Sequence, residues 1–487
     1  MNFISIEYVL LFTFTISLYY ALPHKFRWIL LLAASYTFYM FWKPSFIVLL
    51  LVSTGIDYYV ALQMSKTDDK KKRMKFLLLS LIVNLGLLGF FKYFGMLDTA
   101  AASVLSSIGI NYQGSGFNIL LPIGISFYTF QTIGYTIDVY RGTVKAERHF
   151  GYFALYVSFF PQLVAGPIER AKNLLPQLKK KFRFDYAQSV EGMMLICWGF
   201  FKKTIVADRL AIGIDSVFSA PEQFAPIHLF LTSLLFLYQI YFDFSSYTDI
   251  ARGTAKILGI ELMKNFNRPF AANTISELWS RWHISLTSWF ANYVSVPIYK
   301  KLRNINKKAA YIISTIITLS LCGLWHGADW TFLIWGAYIA IIMIFGNLTR
   351  QFRNKIKDKL GITKMLFLNK FIKITTVMAF VASAMVLFRA PDMASAINYY
   401  SHMLSPGSAP VFTGLLERLH MNQVEIIIVI AGCILIEAIQ YIGRNGRFFE
   451  KLAAWKPVFR YSAYIALILI ILVLGKFTGS PYIYFQF

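Results

Sequence analysis

Charge is what this sequence has least of. Lys, Arg, Asp and Glu make up 15% of its 487 residues, where a soluble chain of that length carries about a quarter. With 57% hydrophobic residues, that shortfall excludes an ordinary soluble domain and a disordered chain alike. Acids are scarcer still: 24 Asp and Glu against 48 Lys and Arg, a net charge of +24. The excess does not point to nucleic acid. The basic residues sit in short loops between apolar runs, the positive-inside pattern, so their neighbour is the anionic inner leaflet of a membrane. Cysteine is almost absent. Cys197, Cys322 and Cys433 are widely spaced with no C-x-x-C, which excludes a disulfide framework and a zinc site. The seven histidines lack metal-ligand spacing, and no metal is expected. There is no G-x-S-x-G elbow, no phosphate-cradling P-loop and no HExxH. Low-complexity segments and internal repeats are missing too. No basic residue precedes the first apolar stretch, and Glu7 stands where Lys or Arg would open a signal peptide; a cleaved leader is not expected.

What is present is a succession of apolar runs near the roughly 20 residues that cross a bilayer as a helix. Candidate spans are 3–22, 28–42, 46–62, 76–94, 119–139, 190–201, 227–244, 309–325, 330–348, 372–388, 424–442 and 461–474. Basic loops (24–27, 66–75, 141–148, 170–183, 300–308, 350–370 and 444–460) alternate with low-charge connections such as 96–118. The alternation predicts about 11 crossings with both termini outside. The stretch 149–170, with two prolines and two glycines between two basic loops, reads as a re-entrant or horizontal helix. Broken backbone at membrane depth is tolerated only inside protein or beside a water-filled cavity, so the middle of the chain should enclose one. The fold class expected is all-α and polytopic, in three parts: N-terminal transmembrane helices over 1–118, a core with re-entrant and amphipathic helices over 119–348, and C-terminal transmembrane helices over 349–487.

Polar density rises between Tyr238 and Tyr299. "YQIYFDFSSYTDIARG" sets Asp243 to Asp249 at the end of an apolar helix, and "NFNRPF" makes a turn. In "SELWSRWHISLTSWFANY", Trp279, Trp282, Leu286, Trp289 and Tyr293 recur at helical steps, predicting one amphipathic interfacial helix capped by Ser276. His283 lies near its aromatic face, where a satisfied core histidine is the commoner outcome. His326, in "GLWHGADW", stands out more. It follows one apolar run and precedes another, and an ionisable group at that depth is a functional site by default. Gly323 and Gly327 permit close approach of other backbone or a ligand. Neutral imidazole is the cheaper form to bury, and it accepts a proton, so a general base fits. Asp329 either orients this imidazole or caps the next helix. The bland alternative is a His that fixes a kink by bonding a backbone carbonyl.

Seven segments taken in order resemble the membrane-bound O-acyltransferase family, in its bacterial alginate O-acetyltransferase branch. They are "LPIGISFYTFQTIGYTIDVYRG", "FFPQLVAGPIERAKNLLPQL", "FDFSSYTDIARGTAKILGI", "NFNRPF", "ELWSRWHISLTSWF", "GLWHGADWTFLIWG" and the terminal "YFQF". The resemblance implies a ring of tilted helices around a central tunnel in the bacterial inner membrane. It sets the family's signature histidines on His326 and His283. An acyl group would pass from a cytoplasmic thioester, acetyl-CoA as substrate rather than bound cofactor, to a hydroxyl outside. A periplasmic or extracellular partner of the SGNH-hydrolase type would complete transfer to a polysaccharide, with D-alanyl transfer to teichoic acid a variant. On that footing His326 is the general base and His283 orients substrate or polarises the carbonyl. Trp325 and Trp282 line the tunnel, Arg281 attracts donor phosphates, and Asn267 and Arg268 shape the donor mouth. Ala291-Asn292 and Tyr299-Lys300 depart from the family's Arg-Asp and Gly-Gly, which bears on interfacial surface or partner contact. A transporter or flippase, and a non-catalytic scaffold of polysaccharide export, are the competing function classes.

Overall fold

In a computed structural model, the structure describes residues 1–112, 114–117, 119–405, 411–443, 448–477 and 481–485; Gln486 and Phe487 of the terminal segment and part of the basic stretch 444–460 lie outside them. The described residues form helices and no strands, as an apolar medium demands, since a helix satisfies its backbone hydrogen bonds within itself. Among the described residues, eight helices are long and apolar enough to cross a membrane: Pro44–Ser65, Lys70–Ser107, Pro226–Ile257, Lys307–His326, Trp330–Leu348, Leu366–Arg389, Gln423–Ile442 and Pro457–Leu474; the shorter Ile6–Ala21 is also apolar. The chain is a multi-pass membrane protein. Three expected spans fall short: 28–42 belongs to the 17-residue helix His24–Met40, 119–139 is helical only from Ile125 to Tyr140, and 190–201 runs into a π-turn. The low-charge connection 96–118 begins as helix, because Phe94–Ser107 continues the preceding span.

Contacts divide the chain into two compact units, Met1–Ile196 with Tyr247–Met263 and Tyr484–Phe487, and Cys197–Ser246 with Lys264–Ile483. In the first, Asp57 is fully buried and collects a bond from Ser80, one from Asn84 Nδ2 at 2.9 Å and one from Thr136 Oγ1 at 3.1 Å. A carboxyl away from water needs such donors, and these tie three helices together. The broken stretch 149–170 becomes helix Phe150–Ser158, a non-helical run, and helix Ala171–Lys179. The run is buried inside this unit, where its backbone finds partners: Phe160 N–H donates to Ser35 Oγ at 3.1 Å and Gly166 N–H to Gln162 O at 2.8 Å. Against this run packs Gly124, the cap of helix Ile125–Tyr140, at φ 81°; a Cβ there would stand 3.0 Å from the Leu163 carbonyl.

The second unit holds the polar-rich segments. The helix that begins there at Pro226 does not end at Asp243–Asp249 but continues to Ile257, in the segment 247–263 of the first unit. Asp243 instead belongs to a buried ion cluster. Lys203 Nζ lies 2.7 Å from Asp243 Oδ1 and 2.8 Å from Asp208 Oδ1, and Asp243 Oδ2 accepts the Ile483 N–H at 2.8 Å. The expected single helix over 276–293 is two. Helix Ile275–Arg281 stops, His283 takes a left-handed conformation at φ 41°, and helix Ile284–Phe290 begins. One left-handed residue rotates the second helix relative to the first, so Trp279 and Trp289 no longer share a face. The cap is Thr274, whose hydroxyl accepts the Glu277 N–H at 3.0 Å, rather than Ser276.

Candidate active site

His326 is the last residue of helix Lys307–His326 and is 5% exposed. After it the chain extends through Gly327, and Asp329 caps helix Trp330–Leu348 by accepting the Thr331 N–H at 2.9 Å. Of the two roles open to Asp329, this is the cap. The short link forces an antiparallel hairpin whose helices nearly touch. A Cβ on Gly323 would lie 2.1 Å from the Phe332 carbonyl oxygen, and one on Gly327 2.0 Å from the Phe332 ring. That closeness turns the His326 imidazole into an aromatic box. Its centroid lies 4.9 Å from Trp325, 5.5 Å from Trp335 and 5.2 Å from Phe388. The Trp335 Nε1 proton is buried with no acceptor among the described residues, so a donor is available there to an incoming oxygen.

His283 reaches the same place by a different route. "NFNRPF" fixes its backbone: the Ile284 N–H donates to Asn265 O at 2.9 Å and the Ser285 N–H to Asn265 Oδ1 at 3.1 Å. As N-cap, His283 Nδ1 accepts the Leu286 N–H at 3.4 Å, which leaves the ring proton on Nε2. The side chain is 2% exposed, and burial lowers its pKa to about 3, so the ring is neutral at physiological pH. It packs 4.6 Å from Phe244 and 5.8 Å from Trp325. The Trp325 indole therefore contacts both imidazoles. The neutral imidazole of His283 and the second buried imidazole of His326, both against the Trp325 wall, offer a donor and an acceptor, the pair that acyl transfer to an alcohol requires.

The other expected residues separate. Trp282 turns away into a cluster with Phe266 at 5.2 Å and Tyr241 at 6.0 Å. Arg281 is ion-paired with Glu277 at 2.5 Å and donates to Arg268 O at 3.4 Å. Asn267 is exposed, and its N–H holds the Arg281 carbonyl at 3.0 Å. Arg268 sits at φ 47° with its guanidinium 5.8 Å from the Tyr441 ring. These three shape one turn and do not line the imidazole box. Trp335, Phe388, Phe244 and Asn265 do border or position it. Trp335 was within reach of sequence reasoning, because a three-residue link must fold the second helix back on the first. Phe388 carries no local signal. Beside the box lies an apolar cavity of ≈ 230 Å³ bordered by Trp279, Thr287, Phe290, Thr315, Thr318 and Cys322. Trp279 packs on Trp335 at 5.8 Å, and Cys322 is one turn before His326. Thr318 Oγ1 is buried there without a partner among the described residues.

Comparison with known proteins bears on what this arrangement does. The profile of the MBOAT, membrane-bound O-acyltransferase family, matches residues 37–388, which include both histidines. A probable alginate O-acetylase of Azotobacter vinelandii is 37% identical over 331 residues, 66% of this chain and 64% of that one. A Pseudomonas putida protein of the same name is 31% identical over 488 residues, 97% of each. A peptidoglycan O-acetyltransferase of Helicobacter pylori is 30% identical over 498 residues, 94% of this chain and 91% of that one. The chain belongs to the membrane-bound O-acyltransferase family and is an O-acyltransferase.

Proposed function

We propose that the protein moves an acetyl group from acetyl-CoA across the bacterial inner membrane for O-acetylation of an exported or cell-wall polysaccharide. The observation that carries this reading is the pair of buried imidazoles that both contact Trp325. The relatives' names, alginate O-acetylase and peptidoglycan O-acetyltransferase, support a polysaccharide as final acceptor. In the step proposed, His326 takes the proton of an acceptor hydroxyl as its oxygen attacks the thioester carbon. The Nε2 proton of His283 or the Trp335 N–H stabilises the oxyanion. The C–S bond then breaks, and the leaving thiolate recovers the proton from His326. A hydroxyl on a partner of the SGNH type serves as well as a sugar hydroxyl in this chemistry. The cavity beside Cys322 is wide enough for a short acyl group, and its apolar walls exclude the water that would hydrolyse the thioester.

The test is His326→Ala in full-length protein reconstituted with labelled acetyl-CoA and polysaccharide. Loss of a general base costs about 10² to 10⁴-fold in rate. The variant should elute as wild type on size exclusion yet lose acetyl transfer to that extent. Wild-type turnover in a folded His326→Ala protein would end the assignment.

A further inference from the structure

A helix of ten residues, Arg350–Lys359, follows the span Trp330–Leu348, and none of its residues is buried. Its sequence, RQFRNKIKDK, carries five bases and one acid. Phe352 and Ile356, and Leu360 just beyond the helix, recur every four residues along one side. They are 65%, 42% and 65% exposed, and Leu366 and Phe367 at the start of the next span are 81% and 85% exposed. An apolar stripe of that length facing water is unstable, but at a bilayer interface it enters the acyl layer. Arg353 and Lys357, four apart, share another side. Partial loss of contact with water, then repulsion from Lys373 on helix Leu366–Arg389 and from Arg353, pulls Lys357 below its ordinary value. Helix Trp330–Leu348 packs antiparallel on Leu366–Arg389, with Trp335 5.1 Å from Phe388 and Tyr338 Oη 2.7 Å from Ser383 Oγ, so Lys373 near the start of the later helix stands at the same end as Arg353 and Lys357. Arg353 donates to Gly346 O at 2.5 Å, and no carboxylate pairs with any of the three among the described residues. Other crowded bases in the protein have their acids: Lys203 with Asp208 and Asp243, Lys256 with Glu191, Lys179 with Glu147. A cationic cluster beside an exposed apolar stripe is complementary to one common molecule, an amphiphile with an anionic head.

We propose that Arg353, Lys357 and Lys373 hold the phosphate of an anionic phospholipid while Phe352, Ile356 and Phe367 sit among its acyl chains. The inference does not depend on the acetyl-transfer reading or on which side of the membrane the helix faces. Its test is native mass spectrometry of the full-length detergent-solubilised protein with equimolar phosphatidylglycerol and phosphatidylcholine. Wild type should retain phosphatidylglycerol preferentially. Each cation near an anionic lipid strengthens binding about fivefold, so the triple variant R353Q/K357Q/K373Q should lower the preference by about tenfold or more. The charge-keeping variant R353K/K357R/K373R should preserve it, which separates charge from folding. Removing three charges elsewhere, in K300Q/K301Q/R303Q, should leave it intact. An unchanged ratio in the triple Gln variant, or an equal loss in the distant control, overturns the proposal. So does soluble glycerol phosphate binding as strongly as the lipid, which would make the ligand a free anion.

Discussion

At the scale of the residue, His283 combines three features that seldom coincide: φ 41°, an N-cap bond and nearly complete burial. A non-glycine residue with positive φ is strained unless its surroundings fix it, and here Asn265 holds the two peptide groups that follow. The buried ring also makes a pH statement. Its folded pKa, about 3 through burial, is below the ordinary value of about 6.5. Its contribution to stability is present above about pH 6.5 and is lost progressively as pH falls from there toward 3, because the unfolded chain takes up the proton first. By pH 5 the loss amounts to about 2 kcal/mol. His283→Asn tolerates the left-handed conformation and keeps a capping oxygen, so it should fold. Thermal melts of detergent-solubilised protein at pH 7 and pH 5 should then show a smaller acid-induced drop in the variant than in wild type. Equal drops would mean that the ring is not held neutral by burial. Periodicity alone placed His283 near an aromatic face, but the conformation that aims it at Trp325 left no trace in the pattern, because one dihedral angle changes nothing in residue spacing.

At the scale of the element, the hairpin 307–326/330–348 sets the position of His326. Its helices approach through glycine: a Cβ on Gly336 would stand 2.2 Å from the Leu319 carbonyl, and one on Gly323 2.1 Å from that of Phe332. Small residues at such contacts are the usual means of close helix packing in membranes. Gly323→Ala must push the helices apart, and overpacking of this kind costs about 1 to 3 kcal/mol. The displaced hairpin would widen the box around His326. The expected outcome is a lower melting temperature together with reduced acetyl transfer, although residue 323 touches no substrate in the proposed chemistry. Gly86→Ala supplies the comparison. Nothing lies within 4 Å of a Cβ there, and alanine favours a helix by up to about 1 kcal/mol, so this variant should melt at or above the wild-type temperature. Identical behaviour of the two variants would remove the close contact as the reason for the glycine at 323. The motif "GLWHGADW" made this element legible, since glycines flanking a buried histidine announce close approach. The split of 276–293 into two helices was not legible, because it turns on one left-handed residue, His283, and the start shifted by two residues because Thr274 and Ser276 offer the same capping hydroxyl.

At the scale of the whole chain, apolar run length made the all-helical membrane architecture readable, and eight runs became spans. What run length cannot reveal is pairing between distant segments. The walls that Phe388 and Phe244 give to the histidines, and the cluster of Lys203, Asp208, Asp243 and the Ile483 peptide, join positions with no local relation. In the sequence, Lys202-Lys203 merely cut a candidate span short, and Asp243 belonged to a polar segment. In the fold, Lys203 is the cation that lets two buried carboxylates coexist; burial, with repulsion from Asp243, drives the Asp208 carboxyl up to about 6 against the pull of that ammonium. Removing one member of such a group costs more than the group's net worth, because the remaining charges keep their desolvation penalty without compensation. Lys203→Met should therefore destabilise the protein by about 3 to 5 kcal/mol, read as a steep fall in melting temperature or in the monodisperse fraction. Adding Asp208→Asn and Asp243→Asn to that variant neutralises the stranded carboxylates and keeps an oxygen facing the Ile483 N–H. Most of the loss should return, since buried ion groups replaced in full are often neutral for stability. A Lys203→Met protein that melts like wild type would show that the carboxylates find water or protons without the lysine. A triple variant no better than the single one would show that the ammonium holds the fold by packing, through its 4.6 Å contact with the Tyr482 ring, rather than by charge.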